Sequence, residues 1–246
     1  MRTELRSRGG WPGAVQLRKG WSLARARPWN DQTDTVASLR LERGSDRFLS
    51  ACVDWLGGRG VTLTLSPALA EEQSSVWRRA GFDDHFRLVV FERDLRIPAG
   101  PPLHAVTPEP SPDLETLAAI DDRAFEPIWR VGQGGLADAC SATPLTEVLT
   151  VRDSGTILGF AIVGELGSVS YLQRLAVEPN RAREGLGRSL LRATIDWARQ
   201  RGAHTMLLNT QPENVPAARL YTSENFVTLG PKLRVLARRH DPGPPR

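Results

Sequence analysis

Between positions 175 and 191 the chain reads Leu-Ala-Val-Glu-Pro-Asn-Arg-Ala-Arg-Glu-Gly-Leu-Gly-Arg-Ser-Leu-Leu, a succession that few folds accommodate. Pro179 lacks a backbone donor and stops the apolar strand that ends at Val177. A short loop follows, with glycines at 185 and 187. Helical spacing then sets in through Leu186, Leu190, Ala193/Thr194, Trp197 and Arg201. A strand, a glycine loop and an amphipathic helix in this order call for a sheet with helices packed on it. The loop feeds the helix N-terminus, where unpaired N–H groups carry partial positive charge. Gly185 and Gly187 let a phosphate approach that backbone, and Arg183 and Arg188 add charge, so the loop suits a pyrophosphate. No Gly-Lys-Ser/Thr follows, which excludes a nucleoside-triphosphate P-loop. Leu190 stands where a dinucleotide fingerprint needs its third glycine.

The surrounding pattern is mixed. Residues 97–102, Ile-Pro-Ala-Gly-Pro-Pro, suit neither helix nor central strand and read as a linker. Beyond it the spacing predicts a strand over 103–107, helices over 113–125 and 135–141, and strands over 146–152 and 156–165 joined by a turn at Asp153-Ser154-Gly155. A strand over 169–177, a helix over 185–201, a strand over 204–208, a helix over 215–223 and a strand over 226–236 complete the series. This is an α+β fold with a mixed α/β sheet.

The first part of the chain repeats the last. Asp54-Trp55, Arg59-Gly60 and Leu65 match Asp196-Trp197, Arg201-Gly202 and Leu207 at one offset; after a two-residue gap Trp77 falls at Tyr221 and Gly81-Phe82 at Asn225-Phe226. Helix, strand, helix and strand therefore recur in order, a duplication in which residues 15–96 form a partial, degenerate copy of 103–240. Residues 1–14 are expected to be a flexible basic leader and 241–246 a disordered tail.

Composition narrows the class. The net charge is +4, and Lys19 and Lys232 are the only lysines. Residues 1–30 hold Arg2, Arg6, Arg8, Arg18, Lys19, Arg25 and Arg27 against Glu4 alone. Without a recognition motif this bias reads as a solvated leader in preference to a nucleic-acid surface. No apolar run reaches the roughly 20 residues that span a bilayer, and the arginines of Met1–Trp21 enclose no apolar core of a secretory signal. Cys52 and Cys140 have no His/Cys neighbours at metal-ligand spacing and read as reduced, buried thiols of a cytoplasmic protein, with no metal expected.

The strand–loop–helix resembles the acetyl-CoA pyrophosphate loop of the GNAT superfamily, whose pattern is Gln/Arg-x-x-Gly-x-Gly/Ala. Downstream, Asn214-Val-Pro-Ala217-Ala-Arg-Leu220-Tyr221, followed by Phe226, resembles the Asn-x-x-Ala-x-x-Leu-Tyr…Gly-Phe signature of the same superfamily, as in its ribosomal-protein N-terminal-alanine acetyltransferases. Two positions depart from the pattern: Ala182 replaces the Gln/Arg, and Asn225 replaces the glycine before Phe226. The resemblance covers about 103–239 and implies the GNAT acyl-CoA N-acyltransferase fold in tandem. It implies an enzyme that moves an acetyl group directly from acetyl-CoA, its co-substrate, to a primary amine on a protein N-terminus, a lysine or a small molecule. The alternative is a non-catalytic acyl-CoA-binding scaffold with a decayed site.

The resemblance also implies roles. The backbone of Leu175, Ala176 and Val177 would hold the pantetheine arm, and Arg183, Glu184, Gly185, Leu186, Gly187 and Arg188 the pyrophosphate. Asn214 and Tyr221 would lie near the thioester, with Tyr221 returning a proton to the CoA thiolate, and Ala217 would be a further cofactor-binding residue. The glutamate that the ribosomal-protein enzymes use as base, five residues before the signature Asn, is Asn209 here. Glu165, Glu213 or a water relay remain as bases, with Glu165 named as the candidate. Asp121-Asp122-Arg123 reads as an exposed helix face or as part of the acceptor cleft, the former preferred.

Overall fold

The computed structural model describes residues 4–31 and 33–240; the expected tail at 241–246 and the first three leader residues lie outside the described residues. In chain order the elements are β1 (Arg6–Arg8), β2 (Val15–Lys19), β3 (Ser22–Pro28), β4 (Val36–Arg43), α1 (Asp46–Gly57), β5 (Leu63–Ala70), α2 (Glu71–Arg79) and β6 (Asp83–Asp94). There follow β7 (Val106–Pro108), α3 (Leu114–Ala124), α4 (Gln133–Cys140), β8 (Leu145–Asp153), β9 (Thr156–Leu166) and β10 (Val169–Val177). The chain closes with α5 (Leu186–Gln200), β11 (Thr205–Thr210), α6 (Val215–Ser223) and β12 (Val227–Arg239).

Among the described residues two compact units result, one up to Leu88 together with residues 231–240, and one of Val89–Gly230. In the first, β1 to β4 pair antiparallel in sequence, β4 runs parallel to β5, and residues 233–239 of β12 pair antiparallel with β5. In the second, β7 to β10 pair antiparallel in sequence, β10 runs parallel to β11, and residues 89–94 of β6 pair antiparallel with β11. Each unit thus takes its last strand from a distant part of the chain. The units divide after Leu88 and after Gly230, where the sequence places a single boundary at 97–102. Hydrophobic periodicity marks a strand but not its partner.

The two units repeat one plan. Helix α1 matches α5, β5 matches β11, α2 matches α6 and β6 matches β12, at the offsets the sequence shows. The first unit has no counterpart of α3 and α4: residues 9–14 alone join β1 to β2. Its core gathers Leu17, Leu39, Leu49, Cys52, Leu56, Trp77 and Phe82 around α1. The second unit has two cores. One lies between the sheet and α5, with Leu149, Val163, Leu190, Ile195, Met206 and Tyr221; the other joins α3 and α4 to the opposite face through Leu117, Ile120, Leu136, Phe160 and Ile162.

Two local expectations change. The basic leader is in part a strand, because β1 pairs with β2 through Arg6↔Arg18, Ser7↔Leu17 and Arg8↔Gln16. The proline segment at 97–102 is tied into the second unit. Prolines lack donors, and the carbonyls left over are taken by arginine: buried Arg93 donates to Ile97 O and Pro98 O, and partly buried Arg192 to Pro101 O. The hairpin at 153–156 is as expected, with Ser154 and Gly155 both at positive φ, the type I′ arrangement.

Candidate functional site

Strands β10 and β11 pair only from Val169↔Thr205 to Tyr171↔Leu207 and then part. At the parting point β10 carries a bulge at Gln173, where its register with β9 shifts between Leu172 and Arg174. The extra residue reverses the alternation. Leu172 packs into the core under α5, whereas Ala176, four residues on, packs into the core under α3. A cleft of about 970 Å³ opens where the strands part. One wall is β10 from Leu172 to Val177, the other is Asn209–Gln211 with α6, and one end is the loop that starts α5.

That loop has the geometry of an anion cradle. Gly185 is the N-cap of α5 at φ 88°, with no side chain capping the first N–H groups. A Cβ there would meet Leu103 Cδ1 at 3.0 Å, whereas a Cβ on Gly187 would make only ordinary contacts with Leu175, Val177 and Leu220. Arg183, also at positive φ (68°), is exposed and makes no ion pair among the described residues. Arg181 is held by Glu184 and Asp153. Arg188 leans on buried Glu224 at 3.0 Å and donates to Ser223 Oγ at 3.2 Å, so its charge is partly satisfied within the protein. Glu224 in turn accepts from Arg192 Nε and Nη2, each at 2.9 Å, and its carbonyl accepts from Arg93 Nη1 at 2.6 Å.

The α6 wall supplies a polar end. Asn214 caps α6, its Oδ1 accepting from Ala217 N at 3.2 Å. Tyr221 sits one helical turn beyond Ala217, buried, with its ring 5.6 Å from that of Phe91 and 5.9 Å from that of Phe226. Burial pushes its phenol up to about 12, against a smaller opposing pull from the Arg174 charge. The hydroxyl makes no hydrogen bond among the described residues and belongs to a side chain that lines the cleft.

Opposite lies an arrangement that the sequence did not disclose. Asp121 on α3 is fully buried rather than part of an exposed face. Its Oδ1 accepts from Val131 N at 2.7 Å and Arg174 Nη2 at 2.8 Å, and its Oδ2 accepts from Arg174 Nε at 2.5 Å. Arg174 also donates to Trp129 O at 2.9 Å and stacks 3.6 Å from the Phe125 ring centroid. The bulge at Gln173, which turns Arg174 toward α3, leaves no periodic trace in the sequence.

Of the residues singled out from sequence, the cleft brings together Leu175, Val177, Arg183, Gly185, Leu186, Gly187, Arg188, Asn214, Ala217 and Tyr221. Ala176 turns its side chain into the core under α3, leaving only its backbone on the cleft strand. Glu184 lies on the outside of the loop, bound to Arg181. Glu165 is not brought to the cleft. It follows Ala161 and Val163 on the face of β9 toward α5, is buried, and leaves Oε2 without a hydrogen-bond partner. Arg174, Gln173, Asn209, Gln211 and Arg219 line the cleft in addition.

Residues 114–226, the span that builds this cleft, match the model of the acetyltransferase (GNAT) family. The streptothricin acetyltransferase of Streptomyces lavendulae is 31% identical over 164 residues, 61% of this chain and 75% of that enzyme. The chain belongs to the acetyltransferase (GNAT) family. A mycothiol acetyltransferase of Clavibacter sepedonicus is 30% identical over 139 residues, 54% of this chain but 45% of that protein, so the match spans about half of its length. The two-unit architecture of this GNAT chain has a counterpart in the tandem GNAT protein from the clavulanic acid biosynthesis pathway, with TM-score 0.60, 12% identity, and coverage of 94% of this chain and 83% of that one. Among the described residues no helix is long and apolar enough to cross a membrane, and no cluster of His, Cys, Asp and Glu is arranged to hold a metal ion.

Proposed function

We propose that the second unit binds acetyl-CoA in the cleft between β10 and β11 and transfers the acetyl group to a primary amine. The observation that carries this reading is the junction of three features in one cleft: an open strand edge, an uncapped helix N-terminus at Gly185, and the free hydroxyl of Tyr221. The edge of β10 beyond Tyr171 offers backbone groups to the pantetheine amides. The α5 N-terminus and Arg183 offer donors and charge to the pyrophosphate.

Amine attack on the thioester carbon forms the C–N bond and breaks the C–S bond. The departing thiolate takes the hydroxyl proton of Tyr221, and water restores it. With its phenol raised by burial, Tyr221 keeps that proton at neutral pH until the thiolate forms. The cleft lining contains five arginines and neither a carboxylate nor an imidazole. The amine therefore enters neutral, its excess proton passing to water. The same lining disfavours cationic, lysine-rich acceptors.

That lack of a base in the cleft also favours a second reading, a non-catalytic acyl-CoA-binding module. Calorimetric titration with acetyl-CoA beside Gly185→Glu, which sets bulk and negative charge in the cradle, tests the site. Micromolar binding lost in the variant supports it, and no binding by the folded protein refutes both readings. A thiol-release assay across a panel of amines then separates enzyme from module.

A further inference from the structure

In the second unit α3 and α4 cover one face of the sheet, and that face is apolar: Val148, Phe160, Ile162 and Ala176. The first unit lacks both helices, and the corresponding face of β1–β4 carries arginine. Val15, Leu17, Ala24, Ala26, Ala37 and Leu39 point into the core, so the alternate residues point away from it. Strand pairing aligns Arg8, Gln16, Arg25 and Arg40 in one row across four strands, and Arg6 with Arg18 in the next. All five arginines are exposed. Among the described residues Arg25 alone of the five has an ion pair, with Glu42 at 3.6 Å.

Arginines directly opposite each other, Arg25↔Arg40 and Arg6↔Arg18, repel and weaken the sheet. A sheet that needed only solubility could alternate the signs of its charges. A groove of about 400 Å³ runs along the first two strands, lined by Arg6, Arg8 and Arg18 with Ser7, Gln16 and a single acidic residue, Glu4. At the same end of the sheet, in the β2–β3 turn, Trp21 is 77% exposed. Arg43 stacks on it at 5.1 Å from the ring centroid and donates to its carbonyl at 2.6 Å, holding the indole in place.

We infer that the uncovered arginine face of β1–β4 is a binding surface for single-stranded nucleic acid. Rows of guanidinium groups follow a phosphodiester backbone, and a held, exposed indole offers a stacking platform for a base. Positive tracks with aromatic platforms are how sequence-tolerant single-strand binders work. An acidic peptide would use the charge but has no use for the indole; an anionic lipid surface would take both, and the vesicle arm of the test below separates it from a nucleic acid.

The test is fluorescence anisotropy of the full chain with labelled 12-nucleotide single strands, RNA and DNA, from low to physiological salt. Each phosphate neutralised contributes about −0.7 to the slope of log K against log salt. Five arginines therefore give a slope of about −3.5, and the double variant Arg25→Gln/Arg40→Gln gives about −2, with binding at least roughly tenfold weaker at low salt. Trp21→Ala weakens binding without changing the slope. The matched control Arg47→Gln/Arg79→Gln, on α1 and α2, removes the same charge and leaves binding unchanged. Thermal unfolding of the Arg25/Arg40 variant at or above the parent temperature shows that the loss is not misfolding. The inference is overturned if no strand binds at low salt, if the control variant loses as much as the Arg25/Arg40 variant, or if anionic vesicles or polyglutamate bind as tightly as the oligonucleotide.

Discussion

Asp121 and Arg174 join α3 to the bulged strand β10 by two hydrogen bonds, at 2.5 and 2.8 Å, with the carboxylate wholly buried and the guanidinium forming part of the cleft wall. The same carboxylate holds Val131 N, and the same guanidinium holds Trp129 O. One ion pair thus fixes the segment between α3 and α4 beside the proposed thioester site. Asp121→Ala strands the largely buried Arg174 cation and the Val131 N–H, for which about 3–5 kcal/mol is the expected loss of stability. Chemical denaturation measures it. The double variant Asp121→Ala/Arg174→Met removes the stranded charge and should recover part of that loss.

The chain disclosed its local elements better than their partnerships. The helix at 215–223 and the strand at 169–177 are found where the spacing placed them, and the repeat forecast that β6 and β12 correspond. Spacing says nothing of which strand pairs with which, so the exchange of β6 and β12 between units stayed hidden. The bulge at Gln173 was hidden for the same reason, and with it the burial of Asp121, whose neighbours Asp122 and Arg123 do face solvent. Gly185 and Asn214 were legible because backbone geometry and helix capping restrict those residue types, whereas Tyr221 was marked only by the resemblance to the family. Glu165 misled because a carboxylate at a strand end carries no mark of which face it joins.

Tyr221→Phe keeps the ring that packs on Phe91 and Phe226 and removes only the hydroxyl. Acetyl-CoA binding by calorimetry should stay within about twofold, while kcat falls by about 10²-fold or more, the range for a lost proton donor. Thermal stability should hardly change. An equal loss of binding and turnover would make Tyr221 a packing residue.

The pH profile follows from the same phenol. Burial raises its pKa to about 12, so the proton-bearing form persists across the working range and is lost only as pH climbs through that value. The acceptor amine gains reactivity as it deprotonates. The profile of kcat/KM should therefore rise toward alkaline pH and show no falling limb below about pH 11 that Tyr221→Phe abolishes. A descending limb near neutrality would contradict an acid of this kind.

Gly185 and Gly187 differ in what they tolerate. At φ 88°, with Leu103 Cδ1 only 3.0 Å from a built Cβ, Gly185→Ala should lose about 1–2 kcal/mol of stability from the left-handed conformation alone. Gly187 sits in the first turn of α5 with room for a methyl group, where Ala is the better helix former by up to about 1 kcal/mol. Gly187→Ala should fold as well as the parent or better, yet bind acetyl-CoA more weakly, because its methyl stands in the cleft. Denaturation and calorimetry on the two variants separate backbone strain from ligand exclusion.

The strand exchange makes a sharp statement about fragments. A piece spanning residues 103–240, the domain that sequence patterns delimit, lacks residues 89–94, which pair along the whole of β11. It also loses Phe91 from beside Tyr221 and Arg93 from the carbonyl of Glu224. An open edge on β11 and an unfilled core under α6 should leave it aggregation-prone. A piece spanning 89–230 retains all three and should unfold cooperatively, as followed by circular dichroism on heating, whereas 103–240 should show no cooperative transition. Equal cooperativity in both would mean that β6 contributes little to the unit holding the cleft, and that the division at Leu88 has no energetic weight.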